Sequence, residues 1–384
     1  MAIKGRSNWC NLLHALTWFV IATTCSAEVK WADDCRIDLQ ALPVYLIEND
    51  AGAAAHMEQF GAAHFEKAMS EAFLEIDHFD SHTDCESILN KYLQAWRKGH
   101  LRVKTNPTAV KEPVPGSVSK AIYPDAPAPR IEKLSKQSIL LSIKSFDSSQ
   151  LKNMVNLLHH SHSTLATHPF WIIDVRGNDG GSDSTYEPLL NWLLADQIVD
   201  TGVTVLATPG NIEANQLICK RFGSQESDCQ KWTAPIIARM QAVPSGSYVS
   251  PDDSPATQYD RVAKLEKKRP TRVAILMDDG CISSCEEFLL AVRQSFTVKL
   301  IGRRSAGMLD YSNLRPHLLP SGQRDLWYAT SRSLRLPDLP VDVAGVAPDI
   351  YLPKTATKNA TKEVLFVRNW LETGNFSLPS TKQN

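Results

Sequence analysis

An α/β core carrying a helical N-terminal part is the fold that three observations in the sequence predict. From Ser138 onward, short apolar runs alternate with amphipathic stretches of helical length, the signature of a sheet with helices packed on it. Residues 28–105 instead repeat apolar side chains at three- and four-residue spacing. Between the two, Asn106–Arg130 holds six prolines and almost no periodicity, which reads as an extended linker.

Taken in order, the chain begins with a basic start at Lys4 and Arg6, an apolar run Leu12–Thr23, and small residues Cys25-Ser26-Ala27. This reads as a signal peptide over residues 1–27, cut after Ala27, and predicts an exported protein, periplasmic or secreted. Two alternatives are a lipoprotein anchor on Cys25, which Thr23-Thr24 fit poorly, and an uncleaved anchor, for which the run is short. No stable membrane insertion is expected once the signal is removed. Residues 28–105 form a helical domain with helices over Ala53–Ile76 and Cys85–Trp96 and a turn at His78–Asp84. Residues 106–135 form the linker.

In the main domain, residues 136–353, strands are expected at Ser138–Ile143, Trp171–Val175, Val203–Thr208, Val273–Met277 and Thr297–Ile301. Helices are expected at Ser148–Ala166, at Ser184–Leu194 and after Ser283. Asn211–Gln258 reads as an irregular lid or insertion. Residues 354–384 carry one amphipathic helix near Lys362–Leu371 and a tail.

At 43% hydrophobic and 22% charged residues, the 384-residue chain can bury a substantial core. Its formal charge of −1 argues against nucleic acid or an anionic membrane surface as main partner. Once Cys10 and Cys25 leave with the signal, six cysteines remain, an even number that favours disulfides in an exported chain. Sequence alone does not choose among the pairings. Proximity suggests Cys219–Cys229, closing a hairpin-like loop, and Cys281–Cys285, bracketing Ser283; elimination then joins Cys35 to Cys85. A zinc site at Cys281 and Cys285 lacks a second ligand pair. His159, His160 and His162 lie on the polar side of a helix, where a solvated face outweighs metal ligation.

Two stretches carry the chemistry. In Val273–Val292, an apolar strand meets the turn Asp278-Asp279-Gly280 and then a helix, so Ser283 and Ser284 occupy a sharp elbow. A hydroxyl there can serve as nucleophile, because the free N–H groups of the helix start can hold an oxyanion. The same Ser283-x-x-Glu286 pattern is also a capping box, which needs no chemistry. In Trp171–Ser182, a strand runs into Asp174, Arg176, Gly177, Asn178, Gly180 and Gly181, and paired glycines let backbone N–H groups approach a ligand closely. The plain reading of that stretch is a glycine-rich turn with Asp174 and Arg176 as a structural pair.

Together the two stretches resemble the C-terminal-processing (tail-specific) serine peptidases and their relative, the tricorn protease core. The D-L-R-x-N-x-G-G strand end appears as Asp174–Gly181, and the S-x-x-E elbow as Ser283–Glu286. An I-G-x-x-T-x-G segment is matched by Ile301–Gly307, with Ser305 for Thr, and G-V-x-P-D by Gly345–Asp349. The leading strand Ile139–Phe146 is similar as well. The resemblance implies a crotonase/Clp-protease-like α/β core and Ser283 as nucleophile. It implies oxyanion donors at Ser284 and at Gly180 or Gly181, a peptide or protein substrate, and neither metal nor organic cofactor.

The resemblance divides over the base. At the position of the tail-specific lysine this chain has Met308, which cannot take a proton. The tricorn-like branch takes a histidine from a G-H pair upstream and an acid just before G-V-x-P-D. Gly99-His100 and Asp342 occupy those places, so His100 would be the base and Asp342 its orienting acid. The bland alternatives are a solvated His100 beside Lys98 and Arg102, and a turn carboxylate at Asp342 with Asp338 as substitute. Glu286 reads as a cap. Asp310–Asn313 and His317 either line a substrate groove or form a plain loop. The expected function is an exported serine peptidase working through an acyl-enzyme. The rivals are a non-catalytic peptide- or lipid-binding protein on the same core and a non-peptidase serine hydrolase. Oligomeric state is not expressed in the sequence.

Overall fold

The computed structural model describes residues 18–78, 82–106, 126–194, 198–220, 226–252, 259–261, 266–354 and 359–375. The basic start of the expected signal, most of the expected linker and the C-terminal tail lie outside these residues. In chain order the helices and strands run α1 Trp18–Asn49, α2 Ala53–Phe60, α3 Ala62–Ile76, α4 His82–Trp96, β1 Arg102–Thr105, β2 Arg130–Lys133 and β3 Ser138–Ser142. Next come α5 Leu151–His160, α6 His162–Thr167, β4 Phe170–Asp174, α7 Asp183–Leu193, β5 Ile198–Asp200, β6 Val203–Ala207, α8 Pro209–Ile218 and α9 Glu226–Gln241. The remainder is β7 Ser247–Val249, β8 Tyr259–Arg261, β9 Arg272–Met277, α10 Ser284–Val292, β10 Val298–Gly302, β11 Tyr311–Leu318, β12 Arg324–Ser333, β13 Ile350–Tyr351 and α11 Ala360–Thr373.

The apolar runs become a six-stranded sheet in the order β13-β10-β9-β4-β3-β2, parallel except for the β2–β3 edge pair. Buried strands covered on both faces need continuous apolar runs. Alternate residues divide accordingly: Ile139, Leu141, Trp171, Ile173, Val273 and Ile275 join the core with α5, α7 and α10. Leu140, Ile172, Ala274 and Leu276 turn the other way, onto Val364, Val367 and Leu371 of α11.

The helical N-terminal region packs on a second, antiparallel sheet. Trp31, Cys35, Leu39, Leu42 and Leu46 form a stripe along α1 that meets Ile88, Leu89, Tyr92, Leu93 and Trp96 of α4, together with Leu326 and Tyr328 of β12. β12 pairs with β11, with β1 (Arg102 opposite Trp327) and with β6. The chain just after His100 is thereby stitched to the long C-terminal hairpin.

Three disulfides are present, Cys35–Cys85, Cys219–Cys229 and Cys281–Cys285. Cys219–Cys229 joins the end of α8 to α9, so the expected hairpin loop is a pair of helices. The expected irregular stretch from Asn211 is corrected in the same way. Thr208 caps α8 by accepting the Asn211 N–H, and Pro209 opens it. Asp310–Asn313 is no plain loop: Tyr311 starts β11, and His317 stacks on Tyr45 with ring centres 3.6 Å apart. His159, His160 and His162 are all exposed, as the solvated face predicts, and His162 also packs edge-on against Trp192. Among the described residues no helix is long and apolar enough to cross a membrane.

Candidate active site

Ser283 caps α10 with φ 57° and ψ −121°, a conformation that costs a non-glycine residue about 1–3 kcal/mol and persists only when its surroundings enforce it. Those surroundings are specific. The Ile282 N–H donates to the Asn178 carbonyl (3.1 Å) and the Ser283 N–H to the Met308 carbonyl (3.2 Å). The Cys281–Cys285 disulfide spans the elbow, and both of its cysteines are fully buried.

Glu286 fixes the third side. Its carboxylate, fully buried, accepts from Ser305 Oγ (2.5 Å), the N–H groups of Gly307 and Met308 (2.8 Å each) and the Ser283 N–H (3.3 Å). Burial raises its pKa and these donors oppose the rise. The cap read from the sequence is thus also the post on which the Ser305–Met308 loop hangs.

The glycine stretch closes over the elbow. A Cβ on Gly180 (φ 86°) would lie 2.5 Å from the Ile282 carbonyl oxygen and 3.0 Å from Ser283 Cβ, so only glycine allows this approach. Ser284 Oγ donates to the Gly181 carbonyl (3.1 Å). Asn178, fully buried, aligns both sides: its side chain accepts the Gly180 N–H (3.0 Å) and donates to the Ile143 carbonyl (3.2 Å). The Gly180 N–H is therefore spent. The N–H groups of Gly181 and Ser284 have no hydrogen-bond partner among the described residues. Asp174 and Arg176 form a two-pronged pair (2.8 Å each), and Arg176 also bonds Glu363 of α11 (2.5 Å), which is a structural role.

His100 reaches the same place from the N-terminal region. A Cβ on Gly99 (φ 105°) would come within 3.1 Å of Met308 Cγ, so the Gly99–His100 turn rests on the residue whose carbonyl holds Ser283. His100 Nδ1 lies 2.7 Å from the Tyr311 carbonyl oxygen. A carbonyl only accepts, so Nδ1 carries the proton and Nε2 keeps its lone pair. Burial pushes the His100 pKa down to about 4; the Tyr311 carbonyl opposes this, and Arg97 and Arg102 add to it.

Asp342 departs from its expected contact. Its Oδ1 accepts the N–H groups of Leu309 and Asp310 (2.6 Å each), while the N–H groups of Val341 and Asp342 donate to Asp310 Oδ2 (2.6 and 2.8 Å). The acid that sequence placed on His100 instead fixes the segment leading into Tyr311, whose carbonyl makes the bond. Burial pushes the Asp342 pKa up to about 6, against the two N–H donors. Asp338 is exposed.

Two residues of this arrangement gave no signal in the sequence. Arg97, buried, pairs with buried Asp50 through two bonds (2.6 and 2.8 Å), donates to the His100 carbonyl (3.2 Å) and lies 4.6 Å from the Tyr311 ring centre. Asp50 sits just after α1, far from any motif; only its adjacency to a packed helix end could have drawn attention. Among the described residues no group of three or more His, Cys, Asp or Glu is placed to hold a metal.

The model of peptidase family S41 matches residues 139–352, over half of the 384-residue chain. The chain belongs to peptidase family S41. Its members' fold recurs in solved structures. Mature CPAF is 10% identical, with 91% of this chain and 100% of that one covered and a TM-score of 0.57. Mature CPAF complexed with lactacystin is 11% identical, with 85% and 95% covered and a TM-score of 0.53. At these identities the likeness concerns the fold. No curated protein matches the chain by sequence. Family S41 membership makes a peptidase the coarse functional class and a peptide or protein the class of substrate.

Proposed function

We propose that this S41 member is an exported serine peptidase acting through an acyl-enzyme on Ser283. The observation that carries the reading is the strained Ser283 at the start of α10, flanked by the unspent N–H groups of Gly181 and Ser284. In the first step Ser283 Oγ bonds to the scissile carbonyl carbon and its proton passes to His100 Nε2. The carbonyl oxygen becomes an oxyanion held by the Gly181 and Ser284 N–H groups, each such donor contributing about 3–4 kcal/mol to the transition state. Collapse breaks the C–N bond, and the leaving amine takes the proton from His100. Water then repeats the sequence on the ester and frees Ser283.

In this reading Tyr311 orients His100, Asp342 supports Tyr311 through the chain, and Gly180 gives room rather than a hydrogen bond. The three disulfides support the exported setting. One observation favours a second reading, a non-catalytic peptide- or lipid-binding protein: His100 is a weakened base with no carboxylate on Nδ1.

The deciding experiment is intact-mass labelling with a serine-directed fluorophosphonate, on wild type, Ser283→Ala and His100→Ala. One adduct, lost in both variants, is the expected result. Loss only in Ser283→Ala keeps the enzyme and discards the base. No adduct on wild type moves the assignment to the binding protein.

A further inference from the structure

On the other side of the glycine stretch lies a cavity of about 510 Å³ that includes none of Ser283, His100, Gly181 or Asp342. It opens where four neighbouring parallel strands end: Lys144 follows β3, Arg176 follows β4, Asp278 follows β9 and Arg303 follows β10. The carboxyl ends of parallel strands are where open α/β sheets take their ligands. The first turn of the 14-residue helix α11, through Asn359 and Ala360, closes one wall and turns its positive end inward.

The lining chooses the ligand. Five cations face the cavity, Arg130, Lys144, Arg176, Arg303 and Lys354, against three lining carboxylates and Asp279, which pairs with Lys354 at the surface (2.9 Å), and Ala360 is the lone apolar residue. The carboxylates are engaged. Asp174 takes Arg176 on both oxygens, Glu363 takes Arg176 and Arg303, and Asp278 Oδ1 takes the N–H groups of Gly177 (2.8 Å) and Gly280 (3.0 Å). Donors are left over. Arg303 Nε is buried with no hydrogen-bond partner, and the exposed Arg130 guanidinium has none among the described residues. A surplus of positive charge disfavours a cation, and a lining with Ala360 as its one apolar residue offers a lipid or aromatic ligand no apolar side-chain cluster to pack on.

We propose that this cavity binds a small oxyanion, a phosphate- or carboxylate-bearing molecule, held by Arg303, Arg130 and Lys354 over the start of α11. The occupant rests on the back of the oxyanion stretch: Lys144 Nζ bonds the Arg176 carbonyl (2.9 Å), and Gly280 packs directly on Gly177. The site stands independently of any role for Ser283.

The test is calorimetric titration and thermal unfolding of the full chain with inorganic phosphate and, separately, citrate, each against sodium chloride of equal ionic strength. Saturable binding of at least one anion with a raised unfolding midpoint is expected. Phosphate alone identifies a phosphate ligand, and citrate alone a carboxylate. In the surface double variant Arg130→Gln/Lys354→Gln, affinity falls by about tenfold or more, with unchanged circular dichroism. Arg303→Gln gives an equal or larger loss. Binding no stronger than chloride, or binding equal in the double variant, overturns the proposal.

Discussion

The Nδ1 atom of His100 donates to the carbonyl oxygen of Tyr311 across 2.7 Å, joining two residues that are 211 positions apart in the chain. In the proposed mechanism a backbone carbonyl takes the place of a triad carboxylate, with one physical difference: it brings no negative charge. The Tyr311 carbonyl favours an imidazolium, but burial outweighs it and Arg97 and Arg102 oppose it. The ring stays neutral well into the acid range.

That neutrality has a sign in stability. The folded pKa of His100, about 4 against an ordinary 6.5, means the unfolded chain binds more protons between those values, so stability falls as pH drops through that window. Asp342, about 6 against 3.8, works in the opposite direction: the stability it contributes is present below pH 4 and is lost as pH rises to 6. His100→Gln should therefore lose less stability than wild type between pH 6.5 and 4.5. Asp342→Asn should lose more, each differing by on the order of 2 kcal/mol. Urea midpoints at the two pH values measure this, and parallel pH slopes in all three proteins would refute both shifts.

Glu286→Gln should be far from conservative. The carboxylate accepts four donors, and a glutamine amide would point its own N–H₂ at two of them. A loss of about 2–4 kcal/mol in denaturant unfolding is expected. A loss under about 0.5 kcal/mol, within the scatter of surface substitutions, would show that the loop does not depend on this acceptor.

Asn178→Ala separates alignment from chemistry. It removes the bonds to Gly180 and Ile143 while touching neither Ser283 nor His100. Peptidase turnover, or fluorophosphonate labelling rate, should fall on the order of 100-fold, because small misplacements of an oxyanion site are costly. Unfolding free energy should fall by only about 1–3 kcal/mol. An unchanged labelling rate would remove Asn178 from the aligning role.

The disulfides should divide labour. Cys35–Cys85 closes a separation of 50 residues and Cys281–Cys285 one of 4, so loop-closure entropy assigns them about 4 and about 2 kcal/mol. Replacing the Cys281–Cys285 pair with alanines should cost the labelling rate more, and replacing Cys35–Cys85 should cost the melting temperature more. The reverse order would mean that Ser283 is held by Glu286 and Asn178 without help from the bridge.

The parallel strands were legible because burial on both faces leaves an unbroken apolar run, as in Val273–Met277 and Trp171–Ile173. The elbow and the glycine stretch were legible because their geometry restricts residue type, glycine at 180 above all. α8 and α9 were hidden inside the stretch read as irregular: Pro209 opens the first helix and Pro235 is tolerated inside the second. The β11–β12 hairpin was hidden because His317, Arg315 and Pro316 interrupt its alternation. The partner of His100 was invisible for a deeper reason. A carbonyl belongs to every residue, so no side chain at 311 announces it.

The strand after His100 pairs residue for residue with Arg324–Trp327, on the far side of the elbow in sequence. Synthesis therefore delivers His100 early, Ser283 late, and the strand that anchors β1 later still. A chain ending before β12 would keep the contacts of the His100 turn with Met308 and Tyr311 but lose the four-residue register that anchors the strand after it. The anchor of β1, and so of the His100 segment, is thus among the last pieces of the fold that the ribosome supplies.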